Sequence, residues 1–111
     1  MKIFISAQSQ TKDALMDPRF GRCRVFQVYD TETNEFIAID NPGYTSGSGA
    51  GIQASNLLID QKADVLITGN LGPNAEAVLK NSKIKIYTSA PKNINDILKD
   101  YMENKLVEIT N

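Results

Sequence analysis

Histidine and tryptophan are absent from the 111-residue chain, and cysteine occurs once, at Cys23. One cysteine excludes an intramolecular disulfide and any multi-cysteine zinc site within the chain. Without histidine, zinc hydrolase sites and serine–histidine triads built from this chain alone are excluded too. No run approaches the roughly 20 apolar residues that a membrane-spanning helix needs. The stretch from Met1 to Gln10 reads as a strand and lacks the charged, apolar and cleavage regions of a signal peptide, so the expected location is cytoplasmic. A net charge of -1 supplies no global basic field, so neither nucleic acid nor an anionic membrane is an expected partner. Lys2 to Ala7 holds no acid, and no two acids are placed to share a metal, which counts against a two-metal nuclease.

The remaining composition, 41% hydrophobic and 23% charged, is ordinary for a globular protein and fits a single domain over 1–111. Lys2–Ala7 is short, apolar and rich in β-branched and aromatic residues, as a strand requires. Gln8 to Pro18 reads as a loop with room for one helical turn. Cys23–Asp30 and Glu35–Asp40 form an antiparallel hairpin around the turn residues Thr31 to Asn34. Asn41 to Gly51 is a loop. A helix follows from Gly51, with Ile52, Ala54, Ser55, Leu58 and Ile59 at spacings of three and four.

Val65–Thr68 is continuously apolar, the pattern of a strand buried on both faces. Pro73 suits the first position of a second helix, which carries Ala75, Val78 and Leu79 on one side. Ile84–Thr88 reads as a strand that pairs in parallel with 65–68. Ile94, Ile97, Leu98, Tyr101 and Met102 mark the last helix. Leu106 to Ile109 is a terminal strand or an ordered tail. The expected class is α/β: one mixed sheet flanked by helices.

Ligands of open α/β sheets bind beyond the carboxyl ends of the strands, near helix N-termini. Two loops lie there. Gly47, Gly49 and Gly51 precede a helix, where bare backbone amides and the helix dipole favour an anion; the alternative is a flexible surface loop. Gly69, Asn70, Gly72 and Asn74 form the second loop, with turn chemistry and a helix start as the alternative. Neither loop has the glycine spacing of a nucleotide-binding fingerprint. Arg19, Arg22 and Arg24 surround Cys23. They are expected to attract an anion and to lower the pKa of the thiol, making Cys23 a metal ligand; the alternative is a core cysteine.

Several segments resemble a known family. Asp17-Pro-Arg-Phe-Gly-Arg-Cys-Arg-Val-Phe26 is similar to its first motif, an Arg/His-Phe-Gly-Arg segment running into a strand. Gly49-Ala-Gly-Ile-Gln-Ala54 resembles its glycine-rich helix start. Ile67-Thr-Gly-Asn-Leu-Gly-Pro-Asn-Ala75 and Ile84-Lys-Ile-Tyr87 resemble its third motif and the strand that follows. Their order and spacing identify the chain as a small stand-alone member of the dinitrogenase iron–molybdenum cofactor biosynthesis family.

The resemblance implies a ribonuclease-H-like fold with a five-stranded mixed sheet. It also implies a role in carrying an iron–sulfur or iron–molybdenum cofactor precursor, or, as in some relatives, a molybdenum–copper sulfide cluster. The chain departs from the family in lacking the histidine that some members use. The expected function is a non-enzymatic carrier of an anionic metal–sulfur cluster, held by Arg19, Arg22, the two loops and Cys23. Its expected partners are cluster-assembly or acceptor proteins, and its expected state is a monomer or weak homodimer. The alternatives are a cofactor-free protein docking to the assembly machinery and, with less support, a ribonuclease-H-like nuclease.

Overall fold

A computed structural model describes residues 1–109; Thr110 and Asn111, the end of the expected tail, lie outside the described residues. The strands are β1 (Lys2–Ala7), β2 (Val25–Asp30), β3 (Glu35–Asp40), β4 (Val65–Thr68), β5 (Lys85–Thr88) and β6 (Val107–Ile109). The helices are α1 (Ala50–Asp60), α2 (Pro73–Leu79) and α3 (Ile94–Met102). Two short 3₁₀ turns are also present: Phe20–Arg22, ahead of the second strand, and Pro42–Thr45, within the stretch expected to be a loop.

All six strands form one mixed sheet in the order β3-β2-β1-β4-β5-β6. The sheet therefore has one strand more than the five expected from the family resemblance. The extra strand is β6, which pairs antiparallel with β5 and resolves the strand-or-tail alternative for 106–109. β2 and β3 form the expected antiparallel hairpin, and β4 and β5 run parallel across α2. The second strand begins at Val25 rather than Cys23, because the chain is still leaving the first 3₁₀ turn at Cys23. The 8–18 stretch holds no helical turn; it is pinned by bridges from Ala7 to Met16 and from Leu15 to Asn93.

Side chains alternate across the sheet, giving one hydrophobic layer on each face. Phe4, Phe26, Val28 and Leu66 face α1 and α2, where they meet Ala54, Leu58, Ala75 and Leu79. Ile3, Ile5, Val65 and Ile67 face α3, where Ile94, Ile97 and the loop residues Ala14 and Met16 complete the layer. Each fully buried aromatic or aliphatic side chain contributes about 2 kcal/mol of transfer free energy. Among the described residues, no helix is long and apolar enough to cross a membrane.

Candidate functional site

The chain leaving β1 and the chain leaving β4 run out at the same edge of the sheet and hold each other there. Arg19 bridges to Asn70, and the Asn70 amide donates to the Pro18 carbonyl at 2.6 Å. Gly69 makes this approach possible, since a Cβ there would lie 2.6 Å from Pro18 Cβ. Asp17 is buried and accepts from the Arg19 amide at 2.9 Å, from its Nε at 3.0 Å and from its Nη2 at 2.9 Å. Phe20 then anchors the first 3₁₀ turn in the core, with its ring 5.5 Å from that of Phe26.

Three glycines bring the next segments together backbone to backbone. A Cβ on Gly21 would meet the Gly51 amide nitrogen at 2.9 Å, and one on Gly43 would meet the Gly21 carbonyl oxygen at 2.5 Å. On Gly51 it would press on Ala75 Cβ at 3.3 Å. Asn41 ties the same junction from inside. Its buried amide donates to the carbonyls of Gly21 at 3.1 Å and Cys23 at 2.9 Å, while its Oδ1 accepts from the Gly43 amide at 2.9 Å.

The outer side of this junction is a cleft of about 300 Å³. Phe20, Gly21 and Arg22 form one wall, Gly49, Ala50 and Gly51 the second, and Gly72 to Ala75 the third. The walls on α1 and α2 are helix N-termini, and neither carries a side-chain cap; α3, which lies elsewhere, is capped by Asn93. An uncapped start leaves its first amides pointing outward with a partial positive charge. Gly49 takes the left-handed conformation at φ 69°, and nothing lies within 4 Å of where its side chain would be. Arg22 adds a guanidinium, whose Nη1 donates to the Ser46 carbonyl at the rim. The donor set suits an anion. No group of three or more His, Cys, Asp or Glu residues that could hold a bare metal ion occurs among the described residues.

Of the expected site residues, Arg22, Gly49, Gly51, Gly72 and Asn74 line this cleft. Gly47 is exposed in the loop before Gly49, and Arg19 is exposed outside the cleft with its guanidinium on Asp17. Gly69 and Asn70 serve the junction with Pro18 instead.

Cys23 is fully buried among the residues under α1 and α2, and its thiol donates to the Phe20 carbonyl at 3.4 Å. The nearby arginines were expected to lower its pKa. Burial instead pushes the thiol up to about 12, outweighing the Asn41 amide, which favours the thiolate. The sequence reading missed Gly21, Gly43 and Asn41. Their signal was present as Asn41-Pro42-Gly43 and the glycine of the Phe-Gly-Arg motif, but both look like ordinary turn chemistry until the segments meet.

Residues 1–104 match the family model described as dinitrogenase iron–molybdenum cofactor. The chain is 31% identical to the orange protein of Desulfovibrio gigas, solved in its apo form, with a TM-score of 0.90 over 97% of this chain and 92% of that one. A proposed NifB protein from Thermotoga shares the fold, at 24% identity and a TM-score of 0.86 over 99% and 94% of the two chains. An uncharacterized protein of Methanocaldococcus jannaschii is 29% identical over 94 residues, 82% of this chain and 80% of its own.

Proposed function

The chain belongs to the dinitrogenase iron–molybdenum cofactor family, and from that premise we propose that it is a carrier, not an enzyme, for an anionic metal–sulfur cluster. The cargo is an iron–sulfur cluster, an iron–molybdenum cofactor precursor or a related sulfide, received from and passed to cluster-assembly proteins in the cytoplasm. The observation that carries this reading is the cleft in which two uncapped helix starts and Arg22 converge. Its donors are N–H groups, so the cargo brings its own complete set of metal ligands and is held by hydrogen bonds to its sulfides. The volume of about 300 Å³ is at the lower end for small-ligand sites. The apo description of the orange protein, a relative at 31% identity, supports a ligand that comes and goes.

In this reading Arg22, Gly49, Gly51, Gly72 and Asn74 contact the cargo, while Arg19, Gly47, Gly69 and Asn70 shape the approach. Cys23 holds the wall from behind. The ribonuclease-H-like assignment is part of the same proposal. It is supported by a sheet in which β1, β3, β4 and β5 run one way and β2 lies between β1 and β3 in the opposite sense.

The test is anaerobic purification from a host that makes iron–sulfur and molybdenum cofactors, with metals and the visible spectrum measured together. The expected result is stoichiometric iron, molybdenum or copper with sulfide-to-metal bands. A protein that stays colourless and metal-free even after cluster reconstitution sinks the carrier reading.

A further inference from the structure

The face of the sheet that carries α3 is covered unevenly. Ile94 and Ile97 pack there with Ile3, Ile5, Val65 and Ile67 of the central strands, while β2 and β3 form the margin. Since Phe26 and Val28 point to the other face, Gln27 and Tyr29 point to this one. The loop near residue 10, the first turn of α3 and the β2–β3 hairpin border a cavity of about 670 Å³ over that margin. It lies across the sheet from the cleft, and its size suits a small organic ligand.

Gln27 is only 5% exposed, and its Nε2 donates to the carbonyls of Ser9 at 3.0 Å and Thr11 at 2.9 Å. These bonds use both amide hydrogens and fix the side chain. No buried side-chain oxygen lacks a partner among the described residues, so Oε1, which accepts no bond there, is open, and Gln27 lines the cavity. Its neighbour on β3 is Ala38, too small to close over it. Two further amides on the walls are held at one end only. Asn95 donates through Nδ2 to the Lys12 carbonyl at 3.1 Å, which leaves Oδ1 as an acceptor. Asn34 accepts through Oδ1 from the Tyr29 hydroxyl at 2.8 Å, which leaves Nδ2 as a donor.

The same cavity carries one ammonium, Lys12, and one carboxylate, Glu35, and neither is in an ion pair among the described residues. A ligand that covers both must replace the water that each charge loses. A simple anion answers Lys12 but meets Glu35 with like charge, and a neutral sugar answers neither charge. A zwitterion answers both. The free amide donor and acceptors match the carbonyl and N–H of a peptide group. Phe36, half-buried with its ring 5.0 Å from that of Tyr29, gives the ligand's carbon skeleton an apolar wall.

We propose that this cavity is a binding site for a small zwitterionic peptide of dipeptide size. Lys12 takes its carboxylate and Glu35 its ammonium, while Gln27 Oε1 accepts from the peptide N–H and Asn34 Nδ2 donates to the peptide carbonyl. Gln27 thus does two things: it pins the loop with its hydrogens and reads the ligand with its oxygen. The site is independent of what fills the cleft.

The full chain is titrated with L-alanyl-L-glutamine while its backbone amide resonances are followed. Saturable shifts are expected near residues 10–12, 27, 34–36 and 95, and none at 49–51 or 72–75 in the cleft, with a Kd of about 1 mM or tighter. Acetylating the peptide's amine, or amidating its carboxylate, should each weaken binding about tenfold. Glu35→Gln should weaken the free dipeptide by the same factor and leave the acetylated one unaffected, and Lys12→Gln should behave likewise toward the amidated one. Both substitutions are at exposed positions, and the capped peptides test the same contacts on the natural chain. No saturable shift at about 10 mM, capped peptides that bind as well as the free one, shifts centred on the cleft, or equal binding of maltose or inorganic phosphate each overturns the proposal.

Discussion

Replacing Asn41 by alanine strands the carbonyls of Gly21 and Cys23 and the amide of Gly43 inside the protein. An unpaired buried polar group is costly, so Asn41→Ala should lower stability by roughly 2–3 kcal/mol in urea unfolding. Cys23 offers a pH test. Its thiol titrates at 9.0 when exposed and at about 12 in the folded chain. The folded pKa is the raised one, so the stability linked to it is complete below pH 9 and is lost as pH climbs toward 12. Cys23→Ala should flatten the decline in unfolding free energy across that window. The decline that remains would reflect other groups, among them Tyr101, whose hydroxyl is also raised by burial. A thiol reagent at pH 8 should modify native Cys23 only as fast as the chain opens; rapid stoichiometric labelling would contradict its place in the core.

Among the elements, those with a clear period were legible and those made by tertiary contact were not. β1, β3, β4, α2 and α3 fall where alternation, apolar runs and Pro73 put them. α1 shows how a pattern can mislead. Its spacing picked out Ala54, Ser55 and Leu58, which do pack, together with Ala50, but also Ile52 and Ile59, which are each 41% exposed. Small residues win that face because Gly21 and Ala75 press close to Gly51, a constraint no one-dimensional pattern expresses. Ile59→Lys should therefore change stability by less than about 0.5 kcal/mol, as an exposed position does. Gly49→Ala, by contrast, places a side chain in the left-handed region and should cost about 1 kcal/mol although nothing crowds it. For the site, both glycine loops and Arg22 were visible, but their meeting depends on β1 and β4 lying side by side.

At the scale of the whole molecule, the cleft's three walls come from stretches near residues 20, 50 and 73 and exist together only in the folded chain. Anything bound there stabilises the fold by mass action. Tetrathiomolybdate, a small anionic metal sulfide, should raise the melting temperature in a concentration- and salt-dependent way. Arg22→Ala should weaken that binding about tenfold, the loss of one charge-assisted hydrogen bond. A melting temperature that ignores the anion would argue that the cleft holds nothing negative. The contact of Gly21, Gly43 and Gly51 also governs how such a sequence can diverge. The missing side chain of Gly21 makes room for Gly51's main chain, and that of Gly43 for Gly21's, so a side chain at either position would meet main chain that cannot move aside alone. A descendant that exchanges Gly21 or Gly43 must reshape the junction or abandon it, so in distant kin this pair should outlast the arginines that surround it.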